Sequence, residues 1–183
     1  MKHVLFCVLL GTALSLCAEI TTISSEADLK KDYPHKKISD AKLSFDLTGA
    51  TLVNWTFTNI IFSEKSDANT DFSYSEFIGK DNKNTLFMGP LQLSIFNNAK
   101  FKNVIFKDQI IGAKFNKCTL ENVTFEGNID ASFDAAILNN VQFKQDYKKS
   151  TFADAKISNV TNQEGKLLAI SLGKLKEPEA SAS

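Results

Sequence analysis

Histidine and cysteine, the side chains most often used as general bases, nucleophiles and metal ligands, are rare in this 183-residue chain, which contains two histidines and three cysteines. If the apolar segment at the start is removed, as argued below, one histidine (His35) and one cysteine (Cys118) remain. A Ser-His-Asp or Cys-His site needs an imidazole beside a nucleophile, but His35 stands next to Pro34 in a polar flank. Cys118 occupies a position that elsewhere in the repeat holds alanine, which predicts a buried thiol.

Other signatures of chemistry are missing from the sequence. It contains no Cys/His spacing typical of a zinc site and no glycine-rich phosphate loop. We therefore expect no enzyme activity, no catalytic residues, no metal and no cofactor.

The charged residues argue against nucleic acid as a partner. The 21 basic residues are balanced by 21 acidic ones, and every basic residue is lysine. Arginine is the usual side chain for bidentate recognition of phosphate and guanine. A balanced chain without arginine lacks the electrostatic footprint of a nucleic-acid groove.

Large apolar residues recur on a five-residue beat. Two positions before nearly every beat stands a small or β-branched residue, such as Ala99, Ala113 or Val123, and Trp55 is the main oversized exception. A five-residue spacing drifts by about 140° per step around an α-helix, so one helical face cannot hold this pattern. Thirteen of the fifteen phenylalanines share the phase: Phe57, Phe62, Phe72, Phe77, Phe87, Phe96, Phe101, Phe106, Phe115, Phe125, Phe133, Phe143 and Phe152.

The repeat resembles the pentapeptide-repeat family, in which a small residue stands two positions before a central Leu or Phe. Residues 99–103, 113–117, 131–135 and 155–159 match that consensus, and the resemblance covers residues 41–160. It implies an all-β fold, a right-handed quadrilateral β-helix of about five to six coils, with one pentapeptide on each side. A short N-terminal capping helix is expected to cover its first coil.

Periods of 18 to 20 residues predict which beats stack in one column. One predicted column joins Phe77 to Phe96 and the later beats at the same spacing, and another contains Leu52, Phe72 and Ile111. The asparagines at 103, 122, 140 and 159 are expected to form a hydrogen-bonded ladder at one corner. The predicted structural core consists of Phe77, Phe96, Phe101, Phe106, Phe115, Phe125, Phe133, Phe143 and Phe152.

The flanks of the repeat are organised differently. Residues 1–18 are typical of an export signal, and residues 19–40 form a predicted N-terminal cap with a capping box at Ser25–Asp28. Residues 161–175 are a predicted C-terminal cap, and residues 176–183 a predicted disordered tail. Polar residues on the beat at 65–69 and 80–84 predict two loops that bulge from the second coil. No segment after the signal is long and apolar enough for a transmembrane helix.

These features favour a non-enzymatic exported protein, a structural or protein-interaction module of a bacterial envelope, periplasmic or secreted. An alternative location is a lipoprotein anchored through Cys17. The alternative function, also implied by the family resemblance, is a DNA-mimicking protein that binds gyrase. Neutral charge and the export signal disfavour it, because residues 41–162 contain thirteen lysines and thirteen acidic residues.

Another protein is the expected partner, and homodimerisation through the C-terminal segment is a further prediction. Loops on a rigid scaffold commonly carry function. The predicted interaction residues lie off the regular repeat: Tyr74, Asp81, Asn82, Lys83 and Met88.

Overall fold

The computed structural model describes residues 20–66 and 69–177, and these are built almost entirely from short β-strands. The predicted signal segment with Cys17, and residues 178–183 of the predicted tail, lie outside the described residues. The elements along the chain are β1 (Thr21–Ile23), α1 (Glu26–Asp32), β2 (Lys37–Ser39), β3 (Ala41–Leu43), β4 (Thr56–Thr58), β5 (Ile61–Phe62), β6 (Glu76–Ile78), β7 (Thr85–Phe87), β8 (Leu91–Gln92), β9 (Lys100–Phe106), β10 (Ile110–Lys114), β11 (Thr119–Phe125), β12 (Ile129–Ser132), β13 (Ile137–Phe143), β14 (Lys156–Thr161), β15 (Ala169–Ser171) and β16 (Lys174–Lys176).

The strands stack in parallel into coils with four sides, and each side pairs with the same side of the next coil. Side 1 contains β2, β4, β6 and the first halves of β9, β11, β13 and β14. Side 2 contains β1, β3, β5, β7 and the second halves of the same long strands. Side 3 contains β8, β10 and β12. Single bridges connect side 4, at Thr51, Asp71, Ile95, Lys114, Ser132 and Thr151.

This arrangement makes a β-solenoid of about seven turns, so the predicted solenoid is confirmed with more coils than the expected five to six. We number the coils from their strand on side 1, so that the first begins at β2, the third at β6 and the fourth at β9. All nine phenylalanines of the predicted core are buried. Rings of successive coils stack with centroids 4.4–5.2 Å apart, as for Phe96 on Phe115 at 4.8 Å. Offset stacking of this kind adds to the free energy of burying each ring.

Two predicted columns are wrong upstream of Phe96, those that join Phe77 to Phe96 and Phe72 to Ile111. Phe77 stacks on Phe57 and Phe101 in side 1, and it is Phe72, not Phe77, that stacks on Phe96 in side 4. The third coil is longer than the others because it contains an inserted loop between β6 and β7. A count of 18 to 20 residues that crosses this loop ends on the neighbouring side of the solenoid.

Side 3 also differs from the prediction at two positions. Ile110, not Ile111, points inward, in register with Leu91 and Ile129. Ser66, which falls in a predicted loop, is buried and bridges to Leu91 on the same side. Its hydroxyl lies 2.6 Å from the hydroxyl of Thr70 and 2.9 Å from that of Ser94. An inward polar residue is tolerated here because these hydrogen bonds satisfy it.

Each end of the solenoid is covered by a non-repeat segment. At the N-terminal end, Ser25 caps α1 by accepting a hydrogen bond from the Asp28 amide, and Leu29 of this helix is buried. The predicted capping helix is thus confirmed. At the C-terminal end, β15 and β16 form an antiparallel hairpin. Lys176, assigned to the tail by the sequence, pairs with Ala169 in this hairpin.

Candidate functional site

The two residues considered for catalysis lie far apart along the solenoid. His35 is exposed ahead of the first coil, whereas Cys118 is buried at the end of the fourth. Burial raises the pKa of the Cys118 thiol to about 12, and its Sγ donates a hydrogen bond to the Phe96 carbonyl at 2.8 Å. A protonated thiol held in this way is a poor nucleophile. Within residues 20–66 and 69–177, no group of three or more His, Cys, Asp or Glu could hold a metal ion.

The asparagine ladder occupies the corner between sides 1 and 2. Asn159, Asn140 and Asn122 each donate their side-chain amide to the oxygen of the preceding asparagine, at 2.9, 2.7 and 3.1 Å. All four ladder residues have positive φ angles, between 52° and 55°. Asparagine tolerates this left-handed backbone and its amide can both donate and accept. The predicted ladder is confirmed, and its amides are committed to one another.

The inserted loop of the third coil interrupts this ladder and replaces one rung with backbone. Asn103 donates to the Gly79 carbonyl at 2.8 Å, and the Lys80 amide donates to Asn59 at 2.7 Å. A Cβ at Gly79 would lie 2.4 Å from the Lys83 carbonyl, so only glycine fits at the base of the loop. Backbone groups at the base of the loop therefore make the hydrogen bonds that an asparagine makes at this corner in the later coils.

The tip of the loop is fixed to the first coil. Lys83 Nζ lies 3.1 Å from Asp40 Oδ1, and Asn59 donates to the same oxygen at 3.0 Å. The hydrogen bond from Asn59 is the largest cause that lowers the pKa of Asp40 below its ordinary value of 3.8, and the hydrogen bond from Lys83 is the second. Asp81 and Asn82 form the exposed turn with positive φ angles of 56° and 60°. The loop thus presents its turn to solvent from a fixed base.

Three apolar residues form a column on the outer surface of side 2, directly after the loop. Ile61, Leu86 and Ile105 are partners in register on neighbouring strands and are half-buried. The residue at the same outward position is Lys42 in the preceding coil, and Thr124 and Gln142 in the two following coils. Apolar residues in three successive outward positions are unusual on a solvated sheet. We call the column together with Met88 and the loop Gly79–Asn84 the side 2 surface.

The predicted interaction residues do not all belong to the side 2 surface. Asp81, Asn82 and Lys83 lie in its loop, and Met88 is exposed two residues after Leu86 on the same outer face. Tyr74 is also exposed, but it occupies the corner between sides 4 and 1, where its amide donates to the Asn97 carbonyl at 3.0 Å. The five interaction residues predicted from the sequence therefore belong to two different surfaces of the solenoid.

The apolar column was missed by the sequence reasoning. A usable signal was present, because on side 2 the residue directly before a beat points outward and is Lys, Thr or Gln in other coils. At positions 61, 86 and 105 it is Ile or Leu.

No protein-family model and no curated protein matches the chain. Solved structures similar to it include two trypsin-treated variants of QnrB1, a plasmid-mediated fluoroquinolone resistance protein. They are 16% and 17% identical, with TM-scores of 0.26 and 0.34, over 68% of this chain and 69% of theirs. A pentapeptide repeat protein, Rfr23, from the cyanobacterium Cyanothece 51142 is 14% identical, with a TM-score of 0.25, over 74% of this chain and 97% of its own. At these scores, the fold assignment depends on the coil geometry described above.

Proposed function

We propose that this chain is a pentapeptide-repeat protein, the family supported by its five-residue beat and its solenoid of about seven turns, and that it is a non-catalytic protein-interaction module of a bacterial envelope. One observation carries the proposal. Ile61, Leu86 and Ile105 form an outward apolar column beside the inserted loop of the third coil. Protein partners are commonly bound by a small apolar centre with polar residues around it.

The remaining chemistry of the described chain supports binding over catalysis. The amides of the asparagine ladder are engaged in structural hydrogen bonds, and so is the Cys118 thiol, which donates to the Phe96 carbonyl. The loop is rigidly based, and its turn carries Asp81, Asn82 and Lys83, which would form a polar rim around the apolar column. A rigid surface loses little conformational entropy when a partner binds.

The rows of charge on the coil surface favour this function over DNA mimicry. Lysines and glutamates alternate across neighbouring coils, as in the pairs Lys100–Glu76 and Lys102–Glu121, both at 2.9 Å. Glu126 lies between Lys107 and Lys144, at 2.8 and 3.0 Å. A surface that imitates duplex DNA needs a continuous acidic strip. Mixed rows of this kind are suited to a solvated surface instead.

Export through a cleaved signal at residues 1–18, to the periplasm or beyond the cell, is part of the proposal. The described residues contain no helix long and apolar enough to cross a membrane. Intact mass measurement of the exported protein should give a chain that begins near residue 19. A diacylglyceryl mass on Cys17 would instead support the lipoprotein alternative.

The binding function can be tested with two variants of the side 2 surface and one matched control. Deleting residues 80–84 restores the five-residue spacing between Phe77 and Phe87, so we expect the solenoid to fold. Leu86→Lys places a charge in the centre of the apolar column, and Ile137→Lys makes the same change at an exposed strand position on side 1. Each variant is used to capture proteins from the envelope fraction, and the captured proteins are quantified by mass spectrometry.

We expect the deletion and Leu86→Lys to lose the same captured protein, while Ile137→Lys retains it. Unchanged capture by both variants would refute the side 2 surface as the binding site. If all three folded variants lose the partner equally, the interaction is not specific to this surface.

A further inference from the structure

The tip of the C-terminal hairpin holds an apolar side chain fully in solvent. The turn between β15 and β16 consists of Leu172 and Gly173, with positive φ angles of 51° and 67°. Two-residue turns with this backbone favour Asn-Gly, because the left-handed region disfavours branched side chains. Leu172 occupies the first of these positions and is 95% exposed.

The hairpin is fixed to the last complete coil, so that Leu172 projects from a rigid base. The Phe152 amide donates to the Gly173 carbonyl at 2.8 Å. Lys174 Nζ donates to the carbonyls of Lys149 and Ser150, at 3.2 and 2.8 Å. Leu175 of the same hairpin is buried. These contacts hold the turn away from the core.

Lysines surround the base of this tip. Lys148, Lys174 and Lys176 line one shallow pocket there with Tyr147 and Glu177, and Lys149 is exposed beside them. Residues 144–177 contain seven lysines and four acidic residues. Of these acids, Glu177 already accepts a hydrogen bond from Asn162 and pairs with Lys166. We call Leu172 with the exposed Lys148, Lys149 and Lys176 the hairpin surface; Lys174 is left out because its ammonium is bound to backbone carbonyls.

We propose that the hairpin surface docks on an anionic lipid membrane, with Leu172 inserted below the headgroups and the lysines in contact with lipid phosphates. Basic residues are attracted to a negative membrane surface, and an apolar side chain at the boundary adds to this attraction. A protruding side chain on a convex tip suits a soft bilayer, whereas protein partners usually receive anchors in a preformed pocket. The proposal depends on the envelope function only for access to a membrane.

The experiment uses the chain from residue 19, which contains every described residue and lacks the apolar start that would itself bind lipid. The protein is mixed with vesicles of phosphatidylcholine alone or with added phosphatidylglycerol, and the bound fraction is measured by flotation. Leu172→Ser tests the tip, and Leu93→Ser is its control, because Leu93 has the same φ angle of 51° and is 55% exposed on another corner. Lys148→Gln with Lys176→Gln tests the charge, with Lys114→Gln and Lys117→Gln as the control pair.

The parent chain should bind vesicles that contain phosphatidylglycerol, and added salt should weaken this binding because it screens the lysines. Leu172→Ser and the Lys148/Lys176 pair should each lower the partition constant about tenfold or more, while both controls bind as the parent does. Absence of binding at low salt, or equal loss in test and control variants, would overturn the proposal.

The predicted homodimer is tested with the same variants. The lipid proposal, unlike that sequence prediction, leaves the hairpin surface free in solution, so it predicts a monomer in sedimentation of the parent chain. A dimer that Leu172→Ser dissociates would assign the hairpin surface to a second copy of this chain and overturn the lipid assignment. Capture of the envelope partner through the side 2 surface is a separate readout, so either proposal can fail alone.

Discussion

Replacing each of two adjacent isoleucines by alanine should destabilise the protein to very different extents. Ile110 is 1% exposed and lies between Leu91 and Ile129 in the interior of side 3. Ile111 is 43% exposed, and its partners on neighbouring strands are Gln92 and Asp130. The two positions share residue type, strand and coil, and differ in the direction of the side chain.

The magnitudes follow from the burial of the two side chains. Ile110→Ala removes apolar atoms from a site closed by packed coils above and below, which leaves a cavity that cannot collapse. Such changes cost about 2–5 kcal/mol of unfolding free energy. Ile111→Ala removes a side chain that stays in contact with water, and surface changes of this kind cost roughly 0.5 kcal/mol. The expected difference is thus about 2 kcal/mol or more.

Urea unfolding of the chain from residue 19 measures this difference. Circular dichroism follows the β-structure and the buried Trp55 gives a fluorescence probe; agreement between them tests whether the stacked coils unfold together. Equal losses in the two variants, or a larger loss for Ile111→Ala, would refute the register of side 3, in which Ile110 points inward and Ile111 outward.

Three further outcomes test the corner, an ion pair and the buried thiol. Asn122→Gly should destabilise the protein less than Asn122→Ala in urea unfolding, because glycine adopts the φ angle of 55° without strain; an equal loss would show that the left-handed backbone is unimportant there. The hydrogen bond from Lys107 is the main cause that lowers the pKa of Glu126 below its ordinary value of 4.5. This stabilisation is present above pH 4.5 and lost as the pH falls through the folded pKa, so Glu126→Gln should shrink the drop in urea midpoint on acidification, and an unchanged drop would contradict the assignment. Cys118, with a pKa of about 12, should resist alkylation at neutral pH until denaturant is added; rapid labelling of the folded protein would contradict its burial.

The interior of the solenoid could be predicted from the sequence because its signal repeats. The beat of Phe and Leu determines which residues point inward, and the packing of Phe115 between Phe96 and Phe133 follows from it. The asparagine ladder was equally predictable, since the same residue returns at the same corner. Stacking partners were predicted correctly mainly downstream of the inserted loop, as for Phe87 on Phe106, where coils have a regular length.

Other features depend on contacts that a periodic count does not contain. The inserted loop lengthens the third coil by five residues, so that a periodic count across it ends on the neighbouring side of the solenoid. Ser66 points inward because Thr70 and Ser94 satisfy its hydroxyl. The C-terminal hairpin lies off the beat altogether, so neither its turn nor the exposure of Leu172 had a repeating signal. The apolar column of the side 2 surface could have been predicted by comparing the same outward position in successive coils, where Ile or Leu occurs three times in a row.

Site-specific photo-crosslinking in living cells tests the central proposal most directly. A photoreactive amino acid is introduced at position 86 or 105 on the side 2 surface, or at the exposed position 111 on side 3 as the control. Our account predicts light-dependent adducts with one and the same protein from positions 86 and 105, and none from position 111. Equal adducts from all three positions, or none from positions 86 and 105, would contradict the side 2 surface as a protein-binding site.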